Sequence, residues 1–258
     1  MKLGLKNKVA LVTGSGRGIG QAIALGLAQE GCKVIVVSRT KKDVDSVIKQ
    51  MGGVGKGHRG IVLDLVKPSA PWKLIQAIKK KTGFPDIVVH NLGGALDIRD
   101  PFCSMADWRK VYRLNFEVAV ELNLYVLPEM IKKKWGRVIH ISSIAGMENQ
   151  GPVPYCSMKA ALTAYTRSMG GVVAPEGVVV SAILPGAVFT KGGYWDITAK
   201  TRPDHVNKFL SERQRIGRLG RPEEIADLVV YLSSQRASFN TGSIIPVDGG
   251  QGRGYFGQ

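Results

Sequence analysis

The sequence VALVTGSGRGIG, residues 9–20, decides the fold. Its apolar start predicts a buried strand from Val9 to Gly14, and the amphipathic residues from Gly18 to Glu30 predict a helix directly after it. The glycines between them allow a tight turn and let backbone N–H groups at the helix N-terminus approach a phosphate. A strand, a glycine-rich loop and a helix in this order predict a dinucleotide-binding site.

The same alternation of short apolar runs and longer amphipathic segments continues along the chain. Because the apolar runs are uninterrupted, they predict strands buried on both faces, as in a parallel sheet covered by helices. We therefore predict an α/β fold, a single-domain Rossmann-type doubly wound parallel sheet with helices on both faces, over residues 1–258. Further strands are predicted at 33–38, 60–65, 86–91, 136–142, 178–186 and 243–250, and helices at 42–51, 70–81, 106–133, 154–174 and 222–234.

One polar segment, residues 191–217, separates two of these units. Only one short helix is expected in it, at 204–210. Its length and composition are typical of a mobile lid over a substrate rather than of a second domain. Together with residues 145–154, this lid is expected to form the wall of the substrate pocket.

The composition limits the class of protein. Hydrophobic residues make up 44% of the chain, and no apolar run reaches the roughly 18 residues of a membrane span. The N-terminus lacks the apolar stretch of a signal peptide, so we expect a cytoplasmic protein. Cys32, Cys103 and Cys156 are widely spaced and odd in number, which predicts neither a disulfide framework nor a metal site.

The formal net charge is +16, with lysine runs at 79–81 and 132–134. Such runs are typical of a surface that binds nucleic acid, but no nucleic-acid-binding motif accompanies them. We interpret them as solvated helix ends, where lysine interacts favourably with the helix dipole. Electrostatic steering of an anionic substrate is an alternative.

The end of the second predicted strand indicates which dinucleotide binds. An acidic side chain there would hydrogen-bond the ribose of NAD, but the chain has Ser38, Arg39 and Thr40, and its first carboxylate, Asp43, falls in the next helix. Arg17 also projects from the glycine loop, and arginine binds phosphate in a bidentate fork. We therefore predict NADP(H) rather than NAD(H).

Tyr155 and Lys159 lie four residues apart on one face of the predicted helix after the fifth strand. A nearby ammonium stabilises phenolate and lowers the pKa of the phenol, which lets it exchange a proton with a substrate oxygen near neutral pH. Such a pair is common by itself. Together with the glycine loop and with Ser142 and Ser143 at the end of the fifth strand, it predicts a catalytic site.

These features occur in the order found in the short-chain dehydrogenase/reductase family, which the chain resembles over nearly its full length, most of all the 3-oxoacyl reductases. The resemblance implies an NADP-dependent oxidoreductase acting on CH–OH groups. The motifs that carry it are TGSGRGIG (13–20), Asp64-Leu65, HNLG (90–93), Asn115, ISSIAG (141–146), YCSMK (155–159), PGAVFT (185–190) and VDGG (247–250).

The resemblance also implies roles for individual residues. Ser143, with Ser142 as the alternative, would orient the substrate carbonyl, and Tyr155 would be the acid/base. Lys159 would hold the nicotinamide ribose and lower the pKa of Tyr155, while Asn115 would anchor a water molecule that connects Lys159 to solvent. The residues implied to bind the cofactor are Gly14, Ser15, Gly16, Arg17, Gly18, Ile19, Gly20, Ser38, Arg39, Asp64, Leu65, Asn91, Gly93, Tyr155, Lys159, Pro185, Gly186, Val188 and Thr190.

The chain departs from the family pattern at several positions. HNLG replaces the usual Asn-Asn-Ala-Gly, so Leu92 puts the geometry near the adenosine ribose in doubt, and His90 is interpreted as a packed strand-end residue. Gly170 and Gly171 are expected to weaken their helix by up to ~1 kcal/mol each relative to alanine. Ser181 stands where the family usually has asparagine.

Hydride transfer assisted by Tyr155 defines a reaction type but not a substrate. The leading hypothesis is a polar or anionic small molecule such as a 3-oxoacyl thioester, although Pro175-Glu176 stands where carrier-protein reductases often have a basic residue. The alternative is a nucleotide sugar or other polar carbohydrate in polysaccharide biosynthesis. A non-catalytic NADP(H)-binding sensor is a remote alternative, and neither nucleic acid nor membrane is expected as a partner. The resemblance implies a homotetramer, with residues 251–258 at an interface.

Overall fold

A computed structural model describes residues 2–254, so residues 255–258 of the expected interface segment lie outside the described part. The strands are β1 (Val9–Thr13), β2 (Lys33–Ser38), β3 (Arg59–Val62), β4 (Ile87–His90), β5 (Gly136–Ile141), β6 (Val178–Pro185) and β7 (Ile244–Val247). The helices are α1 (Gly18–Gln29), α2 (Lys41–Gln50), α3 (Ala70–Thr82), α4 (Met105–Tyr112), α5 (Val118–Lys132), α6 (Val153–Val173), α7 (Tyr194–Thr201), α8 (Pro203–Glu212) and α9 (Pro222–Ser233).

The strands form one parallel sheet in the order β3-β2-β1-β4-β5-β6-β7. In the centre, Leu11 of β1 pairs with Ile35 of β2 on one side and with Val88 of β4 on the other. The chain therefore adds β2 and β3 on one side of β1 and then crosses over to place β4 on the other side. Strands β5, β6 and β7 follow beyond β4. Such a reversal opens a crevice between the carboxyl ends of β1 and β4, where sheets of this kind bind ligands. The predicted doubly wound sheet is confirmed.

Helices cover both faces of the sheet. On one face, α1, α2 and α9 contribute buried side chains such as Ile23 and Val229 to one core. On the other face, α3 and α5 contribute Leu74 and Leu122 to a second core. No helix within residues 2–254 is both long enough and apolar enough to cross a bilayer.

The strands differ in burial according to their place in the sheet. Strands β4, β5 and β6 are buried along their whole length, as their continuous apolar sequences predict. Strand β3 lies at the edge, and its residues alternate between half-buried and exposed. The prediction of a strand at 60–65 was therefore wrong in its bounds, because the chain leaves the sheet after Val62.

The predicted helix at 106–133 is interrupted. Helices α4 and α5 are joined by a π-helical turn, Arg113–Glu117, that contains Asn115. The Asn115 Nδ2 group donates hydrogen bonds of 2.9 Å to the carbonyls of Val111 and Gly94. This side chain therefore ties the wide turn to the loop after β4. Turns of this kind are frequent at functional sites.

Gly170 has a packing role that its sequence context does not reveal. A Cβ atom there would lie 2.5 Å from the backbone nitrogen of Gly242. Only glycine allows α6 to approach the segment before β7 this closely. The helix nevertheless continues to Val173.

The lid segment contains two helices, α7 and α8, where the sequence predicted one short helix. The Trp195 and Phe209 rings pack with their centroids 4.3 Å apart and join the two helices. The Asp196 carboxylate accepts a 2.7 Å hydrogen bond from the Gly192 N–H and fixes the turn before α7. Helices thus cover residues 194–201 and 203–212 of the lid.

Candidate active site

A cleft of about 730 Å³ runs along the carboxyl ends of the central strands, with the glycine loop as one wall. Gly14 and Gly18 have φ angles of 62° and 57°, a region that favours glycine. A Cβ atom on Gly20 would lie 2.4 Å from both the Gly14 oxygen and Asn91 Nδ2. The loop can therefore keep this shape only with glycine at these positions.

Helix α1 begins at Gly18 without a side-chain cap and without an acidic residue in its first turn. The first N–H groups of a helix lack intrahelical partners and carry the positive end of the helix dipole. Gly18, Ile19 and Gly20 line the cleft, so these groups are accessible from it. A pyrophosphate group fits this site on charge and on space.

Ser15 differs from its predicted role. It is fully buried, its hydroxyl donates to the Val12 carbonyl at 2.7 Å, and it accepts from the Val37 N–H at 3.0 Å. Its own N–H donates to the Val37 carbonyl. Ser15 therefore joins β1 to β2 and does not line the cleft. The predicted cofactor-binding residues that do line it are Gly14, Gly16, Arg17, Gly18, Ile19, Gly20, Ser38, Arg39, Asp64, Leu65, Asn91, Gly93, Tyr155, Lys159, Pro185, Gly186, Val188 and Thr190.

Two exposed guanidinium groups line the cleft, at different places along it. Arg17 follows β1 and Arg39 follows β2, and both line the cleft. Asp43 of α2 also lines it, with its Cβ 2.9 Å from the position that a Cβ of Gly16 would occupy. Asp43 lies in a helix, as predicted, but its place at the cleft was not predicted. Arg17 Nη1 lies 3.8 Å from the position that a Cβ of Gly192 in the lid would occupy, whereas Arg39 lies at the end of β2, where Asp43 and Asp64 also line the cleft.

Asn91 connects the loop after β4 to the glycine loop through hydrogen bonds. Its Nδ2 group donates to the carbonyls of Thr13 and Gly14 at 3.1 and 3.0 Å. The backbone N–H groups of Asn91 and Leu92 both donate to the Thr13 hydroxyl at 3.1 Å. The larger Leu92 side chain therefore leaves these contacts intact.

Ser143 and Tyr155 face each other where the cleft turns towards the lid. Ser143 and Tyr155 line the same part of the cleft, and the Ser143 hydroxyl accepts a 3.1 Å hydrogen bond from the Ala145 N–H. Ser142, the alternative serine, is buried and donates to the Lys159 carbonyl at 3.0 Å. Ser142 is therefore engaged in packing β5 against α6, whereas Ser143 lies beside the phenol.

Lys159 lies one helical turn from Tyr155. Its Nζ atom is 5.7 Å from the centre of the Tyr155 ring and donates to the Ile141 carbonyl at 2.9 Å. Burial lowers the pKa of Lys159 to about 8. Burial also raises the pKa of Tyr155, an effect that the nearby Ser143 hydroxyl partly offsets. The predicted lowering of the Tyr155 pKa is therefore wrong for the groups that the protein itself supplies.

Asn115 lies behind the cleft wall. Its side chain accepts from the Gly94 N–H and donates to the Gly94 carbonyl, each at 2.9 Å, and it is 2% exposed. A Cβ atom on Gly93 would lie 2.9 Å from both Asn115 Oδ1 and Lys159 Nζ. Gly93 thus brings Asn115 and Lys159 into one cluster, although Asn115 does not line the cleft.

A second cavity, of about 1350 Å³, continues from Ser143 and Tyr155 beneath the lid. The lid and the loop at 149–152 form two of its walls. Gln251 and Arg213 also line it, and neither was predicted. Basic side chains lie around this cavity: Arg17, Arg99, His205, Lys208 and Arg213. Within residues 2–254, no group of His, Cys, Asp and Glu is arranged to hold a metal ion.

Comparison with known proteins gives the family. The family model described as short chain dehydrogenase matches residues 8–194. The chain belongs to the short-chain dehydrogenase family. It is an oxidoreductase of the class that interconverts alcohols and ketones, and the Ser143, Tyr155 and Lys159 cluster lies within the matched residues.

The similarity to other short-chain dehydrogenases extends over almost the whole chain. The 3-oxoacyl-(acyl-carrier-protein) reductase FabG of Aquifex aeolicus (strain VF5) is 35% identical over 252 residues, which cover 97% of this chain and 99% of that protein. The protein of the same name from Escherichia coli (strain K12) is 32% identical over 249 residues, or 96% and 98% of the two chains.

Two solved structures show the same fold. L-sorbose reductase from Gluconobacter frateurii, complexed with NADPH and L-sorbose, matches with a TM-score of 0.90 and 27% identity over 99% of this chain and 100% of that one. A 3-oxoacyl (acyl-carrier-protein) reductase from Agrobacterium tumefaciens with NADP bound has a TM-score of 0.87 and 30% identity, over 95% of each chain.

Proposed function

We propose that this short-chain dehydrogenase transfers a hydride between NADP(H) and the carbon of a ketone or secondary alcohol. The observation that carries the proposal is the position of Tyr155, which lines both cavities together with Ser143. A dinucleotide along the glycine loop and a substrate beneath the lid would meet at this phenol. Proton donation and hydride transfer can then act on the two atoms of one carbonyl group.

The protein's own groups supply the proton and orient the substrate. In the direction of reduction, Tyr155 donates its hydroxyl proton to the substrate oxygen, and the Ser143 hydroxyl binds the same oxygen. A bound dinucleotide would supply the hydride and, once oxidised, a positive charge that stabilises the remaining phenolate. Lys159, with its Nζ atom 5.7 Å from the centre of the phenol ring, would hold the nicotinamide ribose beside Tyr155. The Asn115 cluster holds the loop that contacts Lys159.

The cofactor is NADP(H). Arg39 lines the cleft directly after β2, where the adenosine ribose would lie, and no carboxylate stands between β2 and α2. An arginine at this position favours a 2′-phosphate, whereas a carboxylate there would favour free ribose hydroxyls. The two solved relatives were described with NADPH and with NADP, which supports the same assignment.

The substrate is a small polar carbonyl compound or the corresponding alcohol. A 3-oxoacyl thioester is the first candidate, supported by sequence relatives named as reductases of such compounds. The basic groups around the second cavity suit an anionic thioester carrier. A sugar or sugar derivative is the second candidate, because carboxamides and lid aromatic rings line the cavity and L-sorbose reductase has the same fold.

We further propose that the chain acts in the cytoplasm as a homotetramer. Leu124 of α5 and Val172 of α6 are 68% and 71% exposed, which favours burial of these helices against other copies. The two cavities suit a small-molecule substrate, and we propose neither a nucleic acid nor a membrane as a partner of this protein.

Steady-state reduction assays test this proposal. The purified chain is assayed with NADPH and with NADH against acetoacetyl-CoA and a panel of keto sugars. We expect preference for NADPH, and the Arg39→Ala variant should lose about tenfold or more of that preference because one charged hydrogen-bonding partner of the phosphate is removed. Equal use of the two dinucleotides by the wild type would contradict the cofactor assignment, and absence of thioester reduction would remove the first substrate candidate.

A further inference from the structure

The C-terminal segment reaches back to the wall of the second cavity through Gln251. This residue is 6% exposed, and its side chain lines the cavity. Its Oε1 atom accepts a 2.7 Å hydrogen bond from the Ala187 N–H, directly after the Pro185-Gly186 turn. Its Nε2 group donates a 2.7 Å hydrogen bond to Gln150 Oε1. One carboxamide thus connects the turn after β6 to the loop that forms the opposite cavity wall.

The hydrogen bonds continue from Gln150 to Glu148. Gln150 Nε2 donates to one oxygen of the Glu148 carboxylate. The other oxygen accepts from the N–H groups of Arg253 and Gly254 at 2.6 Å each. Hydrogen bonds from these backbone groups hold the pKa of Glu148 below its ordinary value, although burial opposes the shift. The chain of contacts therefore ends on an ionised group.

The two ends of this series of hydrogen bonds determine the orientation of both carboxamides. The Ala187 N–H can only donate, so Gln251 must present its oxygen to it and its amino group to Gln150. The Glu148 carboxylate can only accept, so Gln150 must present its amino group to Glu148 and its oxygen to Gln251. Each amino group has two hydrogens and uses one in these contacts. Each glutamine therefore keeps one N–H donor in the cavity wall.

We propose that Gln150 and Gln251 are specificity-determining residues that bind an oxygen acceptor of the substrate away from the reacting carbon. This inference rests on the proposed function, because it assigns the substrate chemistry of the same cavity. The acceptor is a thioester or carboxylate oxygen in an acyl substrate and a hydroxyl oxygen in a sugar. Gln251 also positions Gln150, because the hydrogen bond that it accepts from the Ala187 N–H fixes the orientation of both carboxamides.

The test compares ketones with and without a second oxygen group. Acetoacetyl-CoA and L-sorbose carry such groups and represent the two substrate classes, whereas butanone has only the reacting carbonyl. The Gln251→Leu variant should lower the ratio of kcat/KM for the preferred polar ketone to that for butanone about tenfold, the effect of losing a paired donor. The Gln251→Glu variant keeps the acceptor for Ala187 but cannot donate to Gln150, and it should lower the same ratio.

A general loss of structure would lower both kcat/KM values together and leave the ratio unchanged. The matched control is Gln50→Leu, at the exposed end of α2, which should leave the ratio as in the wild type. If Gln251→Leu does not fold, Gln150→Leu in the half-buried loop tests the same donor pair. A ratio within twofold of the wild type in a folded variant of either residue would overturn the inference alone. A wild-type enzyme that reduces none of the three ketones with NADPH would instead overturn the proposed function, and this inference with it.

Discussion

Replacing Lys159 by methionine should abolish turnover and yet stabilise the fold near neutral pH. Lys159 is 3% exposed, and burial lowers its pKa from 10.5 to about 8. Each pKa unit corresponds to ~1.36 kcal/mol, so keeping this side chain charged in the folded state costs about 3 kcal/mol at pH 7. Methionine has a similar length and no charge. The variant loses the hydrogen bond to the Ile141 carbonyl, which offsets about 1–3 kcal/mol of the stability gained by removing the buried charge.

The pH dependence of the unfolding free energy separates the effect of the buried charge from that of the lost hydrogen bond. Between pH 8 and 10.5 the unfolded chain binds more protons at Lys159 than the folded chain does, so wild-type stability from this group rises with pH in that window. The Lys159→Met variant lacks this contribution. The difference in unfolding free energy, variant minus wild type, should therefore be about 3 kcal/mol larger at pH 7 than at pH 10.5.

Urea unfolding of both proteins at the two pH values measures this difference, because other titrating groups cancel in the subtraction. The Gln50→Leu variant, remote from the site, should show a difference that does not change with pH. A pH-independent difference for Lys159→Met would refute the reasoning, since it would mean that the ammonium is not desolvated in the folded protein.

Three further substitutions separate structural from catalytic roles. Ser15→Ala should destabilise the fold by ~1–3 kcal/mol in urea unfolding, because the Val37 N–H loses its acceptor, while the NADPH Kd from fluorescence titration stays unchanged. Gly93→Ala should lower kcat by about a hundredfold in steady-state assays, because its Cβ would come within 2.9 Å of Lys159 Nζ; an unchanged kcat would contradict the cluster. Gly170→Ala should lower the Tm, since a Cβ 2.5 Å from Gly242 costs ~1–3 kcal/mol and outweighs the better helix propensity of alanine. A raised Tm would show that the contact can relax.

The parallel sheet could be predicted because its central strands are buried on both faces, and such strands have uninterrupted apolar sequences. Motif order and the resemblance to the family indicated site residues at strand ends, such as Ser38, Asn91 and Ser143. Parallel strands bring their carboxyl ends to one edge, so residues at those ends meet in space. Periodicity and motif order therefore located most of the cleft.

The features that the sequence did not predict depend on single contacts between distant residues. The wide turn at 113–117 follows from Asn115 bonding to Gly94, and no glycine or proline marks it. Gln251 and Gln150 are 101 residues apart, a distance at which no local pattern connects them. Ser15 lies within the glycine motif, but the direction of its side chain is decided by the neighbouring strand.

The central claim is that the Tyr155 hydroxyl provides the proton for hydride transfer to a carbonyl, and the Tyr155→Phe variant tests it most directly. The phenylalanine ring preserves the packing of this half-buried side chain and removes only the hydroxyl. We expect NADPH to bind with an unchanged Kd, while kcat for ketone reduction falls about 10²–10⁴-fold, the contribution of a positioned general acid. A Tyr155→Phe enzyme that binds NADPH and reduces the same ketone at the wild-type rate would contradict the account.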